Sequence, residues 1–184
     1  RTLLRQSGWE PATRPVAVAP AATHATKSWG PERFARLLRR NWPIPQPLVL
    51  VGGKNDVAAL DAFRGELGAS WPVIDTRVLD VAPMAALLSM CRLLVAVDSG
   101  PIHLARALGV PTVAVFGPTS VVRWGPEPWT MPAHRVARLS LICMPCSNHG
   151  APKCPLGHHA CMTTLDVDTV ARELAIVELG LQGL

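Results

Sequence analysis

A mostly parallel α/β sheet with helices on both faces, Rossmann-like, is the architecture this sequence predicts. Two observations carry it: short apolar runs of the kind buried on both faces of a parallel sheet, and amphipathic helical segments alternating with them. Val16–Ala19 is the first strand candidate, and Glu32–Arg40 follows as a helix with Phe34, Leu37 and Leu38 on one face. Pro47–Val51 is the second strand, with a helix over Asp56–Leu67 and a short strand at Val73–Ile74. A helix over Pro83–Met90 leads into the apolar run Arg92–Val97. Another helix carries Pro101 in its first turn and stops at Gly109, before a strand through Val110–Val115. Residues 118–164 are dense in Pro, Trp, Gly and Cys with no surviving period, so an irregular excursion is expected there. A last helix over Val167–Leu179 closes the chain.

At 184 residues a single domain is the default, with residues 1–14 a lead-in or linker and 15–184 the domain, including a Cys-rich excursion over 143–161. A composition 49% hydrophobic and 17% charged excludes a disordered chain. No apolar run reaches membrane-spanning length and no signal peptide opens the sequence, so a cytoplasmic location is expected. The net charge of +5 suits anionic ligands such as nucleotide phosphates, or acidic lipid head groups at a membrane surface. It equally suits a solvated surface, since only Arg36, Arg39 and Arg40 cluster. Nucleic acid is not an expected partner, because no basic stripe with interleaved aromatics exists and Tyr is absent. A dinucleotide-binding dehydrogenase is disfavoured, since no G-x-G-x-x-G follows the first strand.

The most informative stretch is Asp98-Ser99-Gly100-Pro101-Ile102-His103, where a buried strand turns into a helix. The first amides of such a helix have no intrahelical partner and sit at the positive end of its dipole, which is where phosphates bind. An ordinary Ser- or Asp-capped helix is the plain alternative. Parallel sheets place ligands beyond the carboxyl ends of their strands, so the loops after Val18, Val51, Val97 and Val115 line one rim.

That hexapeptide, its apolar flanks and the following G-V-P-T-V-A-V-F-G-P-T over Gly109–Thr119 resemble the C-terminal half of the family 9 glycosyltransferases, the ADP-heptose:lipopolysaccharide heptosyltransferases. Pro20-Ala21-Ala22-Thr23 with Lys27, Trp29, Glu32 and Phe34 is similar to that family's P-G-A-x-x-x-x-K-x-W-P-x-E-x-F segment, and Leu50-Val51-Gly52-Gly53 sits at its Gly-rich turn. The resemblance spans roughly residues 15–178. It implies the C-terminal, donor-binding half of a GT-B enzyme that moves heptose from ADP-heptose to the lipopolysaccharide inner core with inversion. No cofactor is required in such a reaction. The family's general base is an aspartate of an N-terminal, acceptor-binding domain, so this half alone is expected to bind donor and transfer nothing. Peripheral contact with the inner membrane is expected of the full enzyme. Two alternatives remain: a nucleotide-binding module without transferase activity, and a related GT-B transferase using another nucleotide sugar.

On this reading Lys27 and Thr23 meet the diphosphate, and Ser99, Gly100 and the amides towards His103 form its cradle. Asp98 accepts from sugar hydroxyls or caps the helix. Lys27 and Asp98 are therefore the residues expected to serve catalysis. The His103 ring either faces the rim or bonds a neighbouring carbonyl. Asp56, or Asn55 beside it, suits a ribose hydroxyl, and Leu79, or Val78, packs against adenine or into the core. Where the family places tandem hydroxyls, Ala22 stands in the first position.

Cys143-x-x-Cys146 followed by Cys154 and Cys161, with His149, His158 and His159 nearby, allows structural zinc, free thiols or disulfides. Free thiols are the expectation and zinc the alternative. Relatives of the family share the C-P-L-G-H and C-M pieces, which makes the segment a family feature. Cys91 is expected to be a small buried apolar group.

Overall fold

The computed structural model describes residues 14–125 and 133–182; most of the expected lead-in, residues 1–13, lies outside them. The strands are β1 (Val16–Ala19), β2 (Leu48–Leu50), β3 (Val73–Asp75), β4 (Leu93–Val97), β5 (Thr112–Val115) and β6 (His134–Ala137). The helices are α1 (Pro31–Asn41), α2 (Val57–Leu67), α3 (Val81–Ser89), α4 (Gly100–Ala107), α5 (Val121–Trp124), α6 (Ala160–Thr163) and α7 (Val167–Gln182). A single 3₁₀ turn, Ala25–Lys27, follows β1.

The strands form one six-stranded sheet in the order β3-β2-β1-β4-β5-β6, with every pairing parallel. This is the doubly wound order, and its direction reverses between β1 and β4. Val16 and Val18 pack into one core cluster with Phe34, Leu37, Leu60, Phe63 and Leu174, from α1, α2 and α7. Ala17 and Ala19 pack into the other with Leu87, Leu88, Ile102 and Ala105, from α3 and α4. Alternate residues of one strand therefore feed opposite faces, and both faces are covered.

The expected elements up to β5 are present with small shifts. The helix expected from Pro83 begins at Val81, with Asp80 as its N-cap, and the last helix runs three residues further than expected, to Gln182. The reading of 118–164 as wholly irregular needs correction. It contains β6, which pairs with β5 in the register Thr112↔His134 through Val115↔Ala137. β6 is an edge strand with three of its four residues only partly buried, so it carries no apolar run to mark it.

The rest of that excursion is fastened to the frame by side chains reaching across the sequence. Thr26 Oγ1 donates to the Ala151 carbonyl and accepts from the Ala151 amide, both at 2.8 Å. Trp29, wholly buried, donates through Nε1 to the Leu165 carbonyl at 2.8 Å and meets Phe34 edge-on at 5.0 Å. Arg33 donates to the Met162 and Thr163 carbonyls at 2.9 Å each. The His159 ring contacts the Thr26 carbonyl at 2.7 Å. Gly117 lies so close beneath α6 that an added Cβ would meet Met162 Sδ at 2.5 Å.

Candidate functional site

β1 and β4 end side by side at the point where strand order reverses, and each delivers one charged residue there. The 3₁₀ turn after β1 ends at Lys27, and the residue after β4 is Asp98. Their side chains meet, Lys27 Nζ to Asp98 Oδ2 at 3.4 Å, with 12% and 7% of their surfaces exposed. Thr119, wholly buried beyond β5, donates its hydroxyl to the same Oδ2 at 2.7 Å. Both contacts fall on Oδ2. An ion pair this far out of water is costly unless well bonded, and the Thr119 hydroxyl supplies part of that bonding.

Asp98 therefore does not cap α4. Ser99 holds the cap position without a side-chain capping bond, and its hydroxyl donates instead to the Val97 carbonyl at 3.0 Å. With Pro101 in the first turn, the opening of α4 leaves its first amides without a side-chain capping bond.

An open cleft of about 150 Å³ faces this corner, lined by Lys27, Asp98, Ser99, Gly100, His103, Trp124, Asn148 and His149. The structure thus brings together five residues expected from the sequence. Thr23 is exposed in the loop ahead of the 3₁₀ turn and does not line the cleft. Asp56 N-caps α2 and accepts from the Gly53 amide at 2.8 Å, while Leu79 packs partly buried beside the α3–α4 core. Both follow neighbouring strands, β2 and β3, on the same edge of the sheet. His103 is exposed and lines the cleft.

Sequence reasoning missed Trp124, Asn148 and Thr119, and it read His149 as a possible metal ligand beside the cysteines rather than as a residue of this cleft. The G-P-T after β5 and the Asn-His-Gly turn were the available signals. Trp124 Nε1 donates to the Asn148 carbonyl at 2.6 Å, and its ring lies 5.1 Å from that of His149. Gly150, at φ +95°, then packs so tightly that a Cβ would sit 2.9 Å from His24 Cβ and 3.0 Å from Lys27 Cγ. Only glycine allows that backbone conformation and that approach.

The five cysteines are free thiols. Cys146, Cys154 and Cys161 line one small cavity of about 10 Å³, room for about one water. Burial, reinforced by the neighbouring thiols, pushes Cys161 up to about 11. Burial likewise raises Cys146, whereas backbone amides, the His159 amide first, hold Cys154 below the usual thiol value. Burial alone takes Cys91 up to about 12, as suits its apolar setting. Among the described residues no group of three or more His, Cys, Asp or Glu is arranged to hold a metal ion.

A doubly wound parallel sheet with a charged cleft at the point where its strand order reverses is the Rossmann-like arrangement in which open α/β sheets place ligands. Comparison with known proteins makes the class specific. The model of glycosyltransferase family 9 (heptosyltransferase) matches residues 4–155, and the chain belongs to that family. Lipooligosaccharide heptosyltransferase 2 of Campylobacter jejuni serotype O:6 is 37% identical over 87 residues, 47% of this chain and 26% of that protein. The ADP-heptose lps heptosyltransferase II of E. coli shares the fold with a TM-score of 0.75 at 22% identity, over 98% of this chain and 51% of that one. A family 9 glycosyl transferase from Veillonella parvula gives 0.76 at 21% identity, over 97% and 50%. The chain thus spans about half the length of these solved structures.

Proposed function

We propose that this chain is the donor-binding half of an inverting heptosyltransferase that carries heptose from ADP-heptose to the lipopolysaccharide inner core. The observation that carries the reading is the largely buried Lys27–Asp98 pair at the opening of α4, set where the strand order reverses. The acceptor hydroxyl attacks the anomeric carbon, the bond to the ADP oxygen breaks, and the hydroxyl proton passes to a base. Lys27 and the amides of Ser99 and Gly100 stabilise the negative charge growing on the departing diphosphate. Asp98, steadied through Oδ2 by Thr119 and Lys27, offers Oδ1 to a sugar hydroxyl. Thr23, exposed ahead of the 3₁₀ turn, adds a phosphate contact, Asp56 takes the ribose and Leu79 the adenine. The base and the acceptor site belong to an N-terminal domain, working in the cytoplasm against the inner membrane surface. No helix among the described residues is long and apolar enough to cross that membrane.

Titration of ADP-heptose against UDP- and GDP-sugars tests the reading. ADP-heptose binds in preference, and Lys27→Ala weakens it roughly tenfold or more, the loss expected for a charge-assisted phosphate contact. Binding unchanged in both Lys27→Ala and Asp98→Ala would favour a nucleotide module without this chemistry, and preference for another nucleotide sugar a different transferase.

A further inference from the structure

We infer that the Asn148–His149 corner, braced by Trp124, is the sugar-side wall of the donor cleft, with the His149 imidazole hydrogen-bonded to a hydroxyl of the transferred sugar. The inference rests on the donor-binding reading above and deepens it.

Two observations carry it. The first is the order of the strands. A nucleotide diphosphate sugar laid along the strand ends meets β3 and β2, then β1 and β4, then β5. The diphosphate corner is at β1 and β4, and the ribose and base candidates Asp56 and Leu79 follow β2 and β3. On the β5 side of the same cleft stands Trp124, at the end of α5, holding Asn148 and His149, whose segment reaches back through Gly150 and Ala151 to the turn after β1. The remaining part of the ligand is the sugar.

The second is that this wall is built rather than draped. Trp124 Nε1 holds the Asn148 carbonyl at 2.6 Å, Ser147 Oγ bonds both the amide and the carbonyl of Gly150 at 2.9 Å, and Thr26 ties down Ala151. The close approach of Gly150 to the Lys27 stem couples the corner to the phosphate-binding cation itself. His149 is thereby fixed at the cleft while remaining exposed to it. An imidazole presents a donor on one nitrogen and an acceptor on the other, which suits a polyhydroxylated ring.

The wall should therefore discriminate ADP-heptose from ADP. Dissociation constants of the 184-residue chain for both ligands, with ligand-detected saturation-transfer NMR to see which ligand protons are in contact, provide the test. His149→Ala weakens ADP-heptose about five- to tenfold, the loss of one hydrogen bond, and leaves ADP unchanged. His149→Gln, which keeps a donor and an acceptor, recovers most of the loss. Trp124→Phe, lacking the indole N–H, shows the same selective defect. Equal weakening of both ligands would overturn the inference by placing His149 on the diphosphate, and no weakening of either would overturn it by leaving the wall unused. If the unaltered chain bound ADP nowhere, the donor-binding reading itself would fall, and this inference with it.

Discussion

The βα frame and the excursion after β5 are held together by different means. In the frame, from β1 to β5, backbone groups are satisfied by parallel ladders and helices, and the two core clusters are drawn from residues at strand and helix spacing. In residues 138–166, Cys161, Met162 and Leu165 join the first core cluster, and the backbone is fastened by the Pro118 carbonyl and by Thr26, Trp29, Arg33 and Trp124, each side chain bonding a carbonyl or amide far away in sequence. The difference teaches where function can be read. A site that draws Lys27 and Asp98 from the frame and His149 from the excursion is half visible to any argument from local pattern.

The strongest way to break the contrast is at the residue that serves both regions. Trp29→Ala removes a fully buried ring and the bond to Leu165, and costs about 3–5 kcal/mol. Denaturant unfolding measures it, and a loss below about 1 kcal/mol would mean that the excursion is not carried by this stitch.

Thr26→Val separates the two regions more gently. It keeps the side-chain shape and leaves the Ala151 amide without its partner, while the Ala151 carbonyl keeps the Thr26 amide at 3.3 Å, for about 1–3 kcal/mol. Hydrogen exchange should then quicken around residues 147–160 while β1, β4 and β5 stay protected. Uniform loss of protection would show that the two regions unfold as one.

The smallest effect lies at the far side of the frame, after β3. Burial alone would raise the carboxyl of Asp75, but hydrogen bonds and charge from Arg77, with help from Arg64, hold it below its ordinary value of 3.8. The sign follows: the depressed carboxyl contributes stability fully present above pH 3.8 and lost as pH falls through the lower folded value. Asp75→Asn should flatten the stability curve in that acid range and leave the excursion untouched. An unaltered slope would show that the Arg77 contacts at 2.6 and 2.9 Å contribute nothing to acid stability.

The frame was legible because a parallel strand buried on both faces must be an apolar run, as Leu93–Val97 is, and because Gly109 and Pro101 punctuate α4. β6 was not, since His-Arg-Val-Ala on a half-exposed edge has no such run, and its Arg135 answers to Glu173 of α7 at 2.7 Å instead. At the site, the corner proposed for the diphosphate could be singled out from its turn chemistry. The pairing of Lys27 with Asp98, and the part of Thr119 in it, could not, because an ion pair between distant residues leaves no periodic trace. The wall of Trp124, Asn148 and His149 was hidden for the same reason, inside a stretch whose only local signals were its prolines, glycines and cysteines.

The proposed donor site depends on an anion at the opening of α4. A crystal structure of this chain with ADP measures it directly. Diphosphate oxygens are expected within hydrogen-bonding distance of the Ser99 and Gly100 amides and of Lys27 Nζ. Diphosphate density elsewhere on the sheet edge, with the Lys27–Asp98 cleft closed by protein atoms, would contradict it.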